Sequence, residues 1–164
     1  MRDQIKQELL AVVAYDEASP SCLVWTSPLS SKIKAGQPAG TRTDTGYWRV
    51  TYRGRKFKAH HLVWELHGNI PTALLDHRDT DGFNNRIDNL RPADTSQNGH
   101  NRGKPSNNSS GVKSVSWDHT GGWRGRVTHK GVCYSKCFGG DKTAAAEWVA
   151  ATRLMLAGEF AREN

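Results

Sequence analysis

Cysteine is scarce in this chain. Cys22, Cys133 and Cys137 are the only three, and no two share a CxxC spacing. An odd, unpaired set excludes a disulfide framework and a structural zinc site. It leaves Cys133 and Cys137 as small apolar residues packed in a strand, with free thiols that suit a reducing compartment. Long apolar runs are missing as well. The start, MRDQIKQELLAVVAYDEAS, is too interrupted by charge for a secretory signal, and no stretch reaches the ~18 consecutive apolar residues of a membrane span. A soluble cytoplasmic protein without membrane contact is the expectation. Core material is thin: 36% of the 164 residues are hydrophobic, which suits two small modules better than one large core. Acid is also in short supply, with 16 Asp and Glu against 23 Lys and Arg, a formal charge of +7. That surplus points to an anionic partner, of which nucleic acid is the commonest.

What is present falls into two patterns. Ile5, Leu9, Leu10 and Val13 recur at helical spacing. Leu23-Val24-Trp25 reads as a short strand, and the Ser-, Pro- and Gly-rich run 27–40 as loop. Tyr47 to Tyr52 and Lys56 to Lys58 read as the arms of a hairpin that turns at Arg53-Gly54-Arg55. Arg49, Arg53, Arg55, Lys56 and Lys58 alternate with aromatics there and offer a surface for DNA phosphates. Charged hairpin edges also serve simply to keep a sheet from aggregating. His61 to His67 reads as a short helix stopped at Gly68. The polar stretch RGKPSNNSS contains a linker over 103–110. Beyond it, strand-like runs at 112–117, 123–129 and 132–138 precede a helix over 142–156. Ala145, Trp148, Val149, Thr152 and Met155 share one face of that helix. The expected organisation is therefore α+β. A first domain covers 1–102 with its core motif at 73–101. A second, over 111–164, has a three-stranded antiparallel sheet backed by one helix.

The chemistry concentrates between Leu74 and Asn98. A short apolar strand delivers Asp76 and His77, a polar loop carrying Gly82 follows, and Asn89-Leu90-Arg91 returns as a second strand. Asp94 or Thr95 then caps a helix, with Gln97 placed to reciprocate and Asn98 in its first turn. Phosphodiester hydrolysis needs a base for water and a cation against growing negative charge. Asp76 and Asn98 offer oxygen ligands that suit Mg²⁺ or Mn²⁺ better than Zn²⁺. His77 carries the side chain that titrates near neutrality. In a regular strand adjacent side chains diverge, so the strand end must bend to aim Asp76 and His77 at one phosphate. His100 is a rival ligand, but on a helix it points about 200° away from Asn98. Asn84 and Asn85 read as turn residues, and His60 as a buried, hydrogen-bonded histidine.

The pattern DHxDxxxxNNxxxNLxxxxxxxN, with AHHLVWELHG before it, resembles the HNH nucleases with a ββα-metal site, and within them the phage and intron-encoded homing endonucleases. The resemblance spans roughly Gly46 to Arg102. It implies Asp76 and Asn98 as metal ligands for one divalent ion and His77 as the general base. Asn89 would hold the loop that orients His77. It also implies double-stranded DNA as substrate, cut to 3′-hydroxyl and 5′-phosphate ends, and a place in the host cytoplasm if the gene is a phage's. Asn98 stands where many members have His, as it does in others of this branch. Ser110 to Trp117, Gly122 to Val127 and Gly158 to Arg162 resemble the DNA-binding domain of the plant Apetala-two and ethylene-response factors in its phage-nuclease form. The third strand departs, with Ser135-Lys136-Cys137-Phe138 in place of the usual Leu-Gly-x-Phe. In that family the sheet enters the major groove. Trp123, Gly125 and Val127 alternate with Arg124, Arg126 and Thr128, so Arg124 and Arg126 face DNA, with Lys113 next and Lys136 weaker. A restriction or host-defence nuclease and a non-catalytic DNA-binding regulator stay open as alternatives. Oligomeric state is open too, with a monomer favoured.

Overall fold

The computed structural model describes residues 1–162, so the last two residues of the expected 111–164 domain lie outside the described residues. The chain divides into two compact units, Met1–Pro92 and Ala93–Asn164. This boundary lies upstream of the 103–110 linker. It leaves the first helix after Pro92 with the C-terminal unit.

In the N-terminal unit, helix α1 (Arg2–Leu10) leads into strands β1 (Val13–Tyr15) and β2 (Leu23–Trp25), which pair antiparallel. Strand β3 (Thr41–Arg42) then joins β4 (Trp48–Tyr52) and β5 (Arg55–Lys58) in a three-stranded antiparallel sheet, order β3-β4-β5. Period-two alternation sends Trp48 and Val50 of β4 and Phe57 of β5 inward, and Arg49, Lys56 and Lys58 to the other face. Helix α2 (Ala59–Leu66) follows β5 and buries Ala59, His60, Leu62 and Val63. Ala59, Leu62 and Val63 join Leu9, Val13, Leu23 and Trp25 in one core. Strands β6 (Leu75–His77) and β7 (Leu90–Pro92) form a separate antiparallel pair, connected through a loop and a 3₁₀ turn at Ile87–Asn89. Gly82 in that loop is a packing requirement. A Cβ there would stand 2.2 Å from the Gly46 carbonyl oxygen and 2.8 Å from the Tyr47 ring.

The C-terminal unit opens with α3 (Thr95–Asn101), followed by β8 (Val115–Asp118), β9 (Gly122–His129), β10 (Val132–Cys137) and α4 (Lys142–Ala157). The three strands form an antiparallel sheet in the order β10-β9-β8. Its inner face carries Val115 and Val127 against Ala145 and Val149 of α4. Gly125 permits this approach, because a Cβ would lie 2.7 Å from Trp148 and 2.8 Å from Val149. The helix face differs from the sequence pattern: Arg153 turns inward, with its Nη2 donating to Ser114 Oγ at 2.6 Å, while Met155 is exposed. Cys133 and Cys137 are also corrected. They are exposed, because β10 is an edge strand and all of its residues lie open. Among the described residues no helix is long and apolar enough to cross a membrane.

Candidate active site

Strand β6 is buried along its whole length. Asp76 stands directly opposite Arg91 in the β6–β7 register, so the two side chains share a face. Arg91 donates from Nε and Nη2 to Asp76 Oδ2, at 3.0 and 2.9 Å. Both residues are buried, where an ion pair compensates part of the cost of removing each charge from water. His77, one residue on, has different neighbours. Its Nε2 lies 3.1 Å from Asn85 Oδ1, and its ring packs edge-on to His60 at 5.0 Å and tilted to Tyr47 at 6.0 Å.

The loop between the strands is held by Asn89. Its Nδ2 donates to Asp79 Oδ1 at 2.9 Å and to the Asn84 carbonyl at 2.8 Å. Its Oδ1 accepts from the Asp79 amide at 3.1 Å, and its carbonyl from the Arg78 amide at 2.9 Å. Burial pushes the Asp79 carboxyl up, but hydrogen bonds from Asn84, Asn89 and the Asp81 amide outweigh it and hold the group below the usual carboxylate range. One asparagine thus ties both ends of the loop that follows His77.

His60 is buried as expected but not satisfied. Its Nδ1 has no hydrogen-bond partner. Burial, then the neighbouring His61, His77 and Lys58, push its pKa down to about 2, so the ring stays neutral. Asn85, read from the sequence as a turn residue, is fully buried and bridges His77 to the Ser21 carbonyl. Nothing in the local pattern distinguishes it from Asn84.

Asn98 lies in the C-terminal unit on α3. That helix starts at a capping box: Asp94 Oδ1 accepts from the Gln97 amide at 2.7 Å, and Gln97 Oε1 from the Asp94 amide at 2.8 Å. Among the described residues nothing hydrogen-bonds the side-chain amide of Asn98. His100 instead is buried and meets His129, with Nε2 to Nδ1 at 3.2 Å. Burial and His129 hold it below the usual histidine range. This commitment within its own unit weakens His100 as a rival ligand.

The cations expected to meet DNA fall into different situations. Arg49 and Lys58 are direct partners on the outer face of the β4–β5 hairpin. Arg55 is exposed near its tip. Arg53, in the turn itself, pairs with Glu8 at 2.6 Å. On the open face of the C-terminal sheet, Arg126 is exposed and Arg124 pairs with Asp118 at 2.9 Å. Lys113 requires correction. It precedes β8 and is buried, with its Nζ donating to the carbonyls of Gly99, His100 and Arg102. It closes the C-terminal end of α3, where unsatisfied carbonyls attract a cation, and is withdrawn from the sheet face. Lys136 faces the helix side, since it registers with Gly125.

Each unit carries a hard oxygen donor of the kind Mg²⁺ and Mn²⁺ take: the Asp76 carboxylate in the N-terminal unit and the Asn98 side-chain amide in the C-terminal one. Among the described residues no cluster of three His, Cys, Asp or Glu side chains is placed to hold a metal ion.

Two comparisons with known proteins match parts of this chain. The family model described as HNH endonuclease matches residues 57–100, from β5 through α3. Protein 3.8 of Escherichia phage T7 is 37% identical over 108 residues, which cover 64% of this chain and 88% of that protein. No solved structure matches.

Proposed function

Because the chain belongs to the family of phage T7 Protein 3.8 and carries an HNH endonuclease domain, we propose that it is a divalent-metal-dependent, site-specific DNA endonuclease of the homing type. The observation that carries this reading is the β6–β7 pair, where Asp76 and His77 are adjacent and buried at the end of β6, ahead of a loop closed by Asn89. A DNA-binding regulator would have no use for a histidine and a carboxylate buried at a loop tied in this way.

In this reading the hairpin cations Arg49, Arg55 and Lys58 hold phosphates without reading bases. His77 takes the proton of the attacking water as its oxygen bonds to phosphorus. The bond to the 3′-oxygen breaks and that oxygen takes a proton from solvent water, leaving 3′-hydroxyl and 5′-phosphate ends. Asn89 keeps the loop after His77 from moving during that transfer. Asp76 and Asn98 would hold the ion. When bound, Mg²⁺ or Mn²⁺ offsets the charge that builds on the phosphate oxygens. The open face of the C-terminal sheet reads the target, with Arg126 as the principal reader, because Arg124 is engaged by Asp118.

His77→Ala tests the assignment. Nicking of supercoiled plasmid in Mg²⁺ should fall by roughly 10²–10⁴-fold, the usual contribution of a general base. DNA affinity in a gel shift should hold, because the base acts in the transition state. Full nicking by the variant would remove His77 from the chemistry.

A further inference from the structure

We propose that Asn85 is a positioning residue that fixes the tautomer of His77, and that it draws its own orientation from the N-terminal β1–β2 region. The proposal rests on reading His77 as the base. Asn85 Nδ2 lies 3.1 Å from the Ser21 carbonyl oxygen. A carbonyl only accepts, so the amide nitrogen must face Ser21 and the amide oxygen must face His77. That oxygen, 3.1 Å from His77 Nε2, also only accepts. The proton of the neutral imidazole therefore sits on Nε2, and the lone pair that takes a proton sits on Nδ1.

Ser21 is itself immobilised. It is fully buried, and its Oγ donates to the Ala39 carbonyl at 2.7 Å and accepts from the Leu23 amide at 3.3 Å. A rigid polar chain thus runs from β2 through Ser21 and Asn85 to His77. Ser21 lies outside the 57–100 segment that the HNH family model covers. The first 40 residues of this chain accordingly do more than fill the core: they select the protonation pattern of a side chain in β6.

The decisive observable is the imidazole ¹⁵N spectrum of the intact full-length protein, with the His77 signals identified by their loss in His77→Gln. Long-range ¹H–¹⁵N correlations should show His77 as the Nε2–H form. A predominant Nδ1–H form would overturn the proposal. Two variants extend the test. Asn85→Asp keeps the acceptor towards His77, whereas Asn85→Leu has similar shape and no acceptor. The proposal expects Asn85→Leu to lower kcat by roughly ten- to a hundredfold, with KM for plasmid DNA unchanged and both His77 tautomers visible. Asn85→Asp, which keeps the acceptor towards His77 but loses the donor to Ser21, should keep the Nε2–H form and more of kcat than Asn85→Leu. A purely structural role gives the opposite order, because Leu is the easier residue to bury, and that order would also overturn it. Loss of the base reading would look different: full nicking by His77→Ala with the Nε2–H signal still present in the unaltered protein.

Discussion

At the scale of single residues, what decides behaviour is whether a buried polar group has a partner. Arg91 and Asp76 illustrate the satisfied case. Arg91→Leu removes the guanidinium that faces the buried Asp76 carboxylate and should cost about 3–5 kcal/mol of stability. If Asp76 is a metal ligand, Mn²⁺ should raise the melting temperature of Arg91→Leu more than that of the unaltered protein, since the ion replaces the missing charge. Scanning calorimetry with and without Mn²⁺ reads this directly, and equal shifts in both proteins would argue against Asp76 as ligand. His60 illustrates the unsatisfied case. Its pKa is pushed down to about 2 in the fold, while an unfolded chain binds the proton near 6.5. Between those values the unfolded state holds one proton more, so stability from this group is lost as pH falls through 6.5. The slope is about 1.4 kcal/mol per pH unit at most. Urea midpoints at neutral and mildly acid pH should therefore converge in His60→Leu relative to the unaltered protein.

At the scale of elements, α3 is the informative case. Seven residues with Gly99 among them make a poor helix in isolation. It persists because both ends are closed, by the Asp94–Gln97 box at the start and by the Lys113 ammonium at the end. Burial, with Arg153 and Arg162 nearby, pushes Lys113 down to about 8, which shows how far that ammonium is withdrawn from water. Asp94→Ala should cost about 0.5–2 kcal/mol. Combined with Gln97→Ala the loss should be less than the sum, because each residue's bond supports the other's. Urea unfolding of the two single variants and the double variant measures this, and strict additivity would mean that the two bonds act independently.

At the scale of the whole molecule, the helix bearing Asn98 is built into the C-terminal unit. It packs on β9, α4 and the 3₁₀ turn Gly158–Phe160. A chain ending near Lys104 removes all three along with Lys113. The expectation is that α3 unravels, Mn²⁺ affinity falls and plasmid nicking drops sharply, even though every residue from Asp76 to Asn98 is retained. Calorimetric Mn²⁺ titration beside a nicking assay checks it. A truncated chain with full activity would show that 1–102 stands alone as a domain, the boundary that linker composition suggests.

The sequence by itself determined what depends on neighbours a few positions away. The period-two runs of β4, β5 and β9 show in the local pattern, and so does the capping box, whose partners stand three residues apart. The joint spacing of Asp76, His77 and Asn89 is equally local, because one loop connects them. The tertiary structure alone decided what depends on residues far apart in the chain. Asn85 meets Ser21 across 64 positions, and nothing near Asn85 announces that bond. Lys113, Arg53 and Arg124 read alike as basic surface, yet each is committed to a separate partner: backbone carbonyls, Glu8 and Asp118. Cys133 and Cys137 match a buried strand in composition, but β10 lies at the sheet's edge. The physical reason is common to all of these. Backbone periodicity and capping are set by short-range sterics and hydrogen bonds, whereas burial and charge pairing are set by whichever distant segment packs alongside.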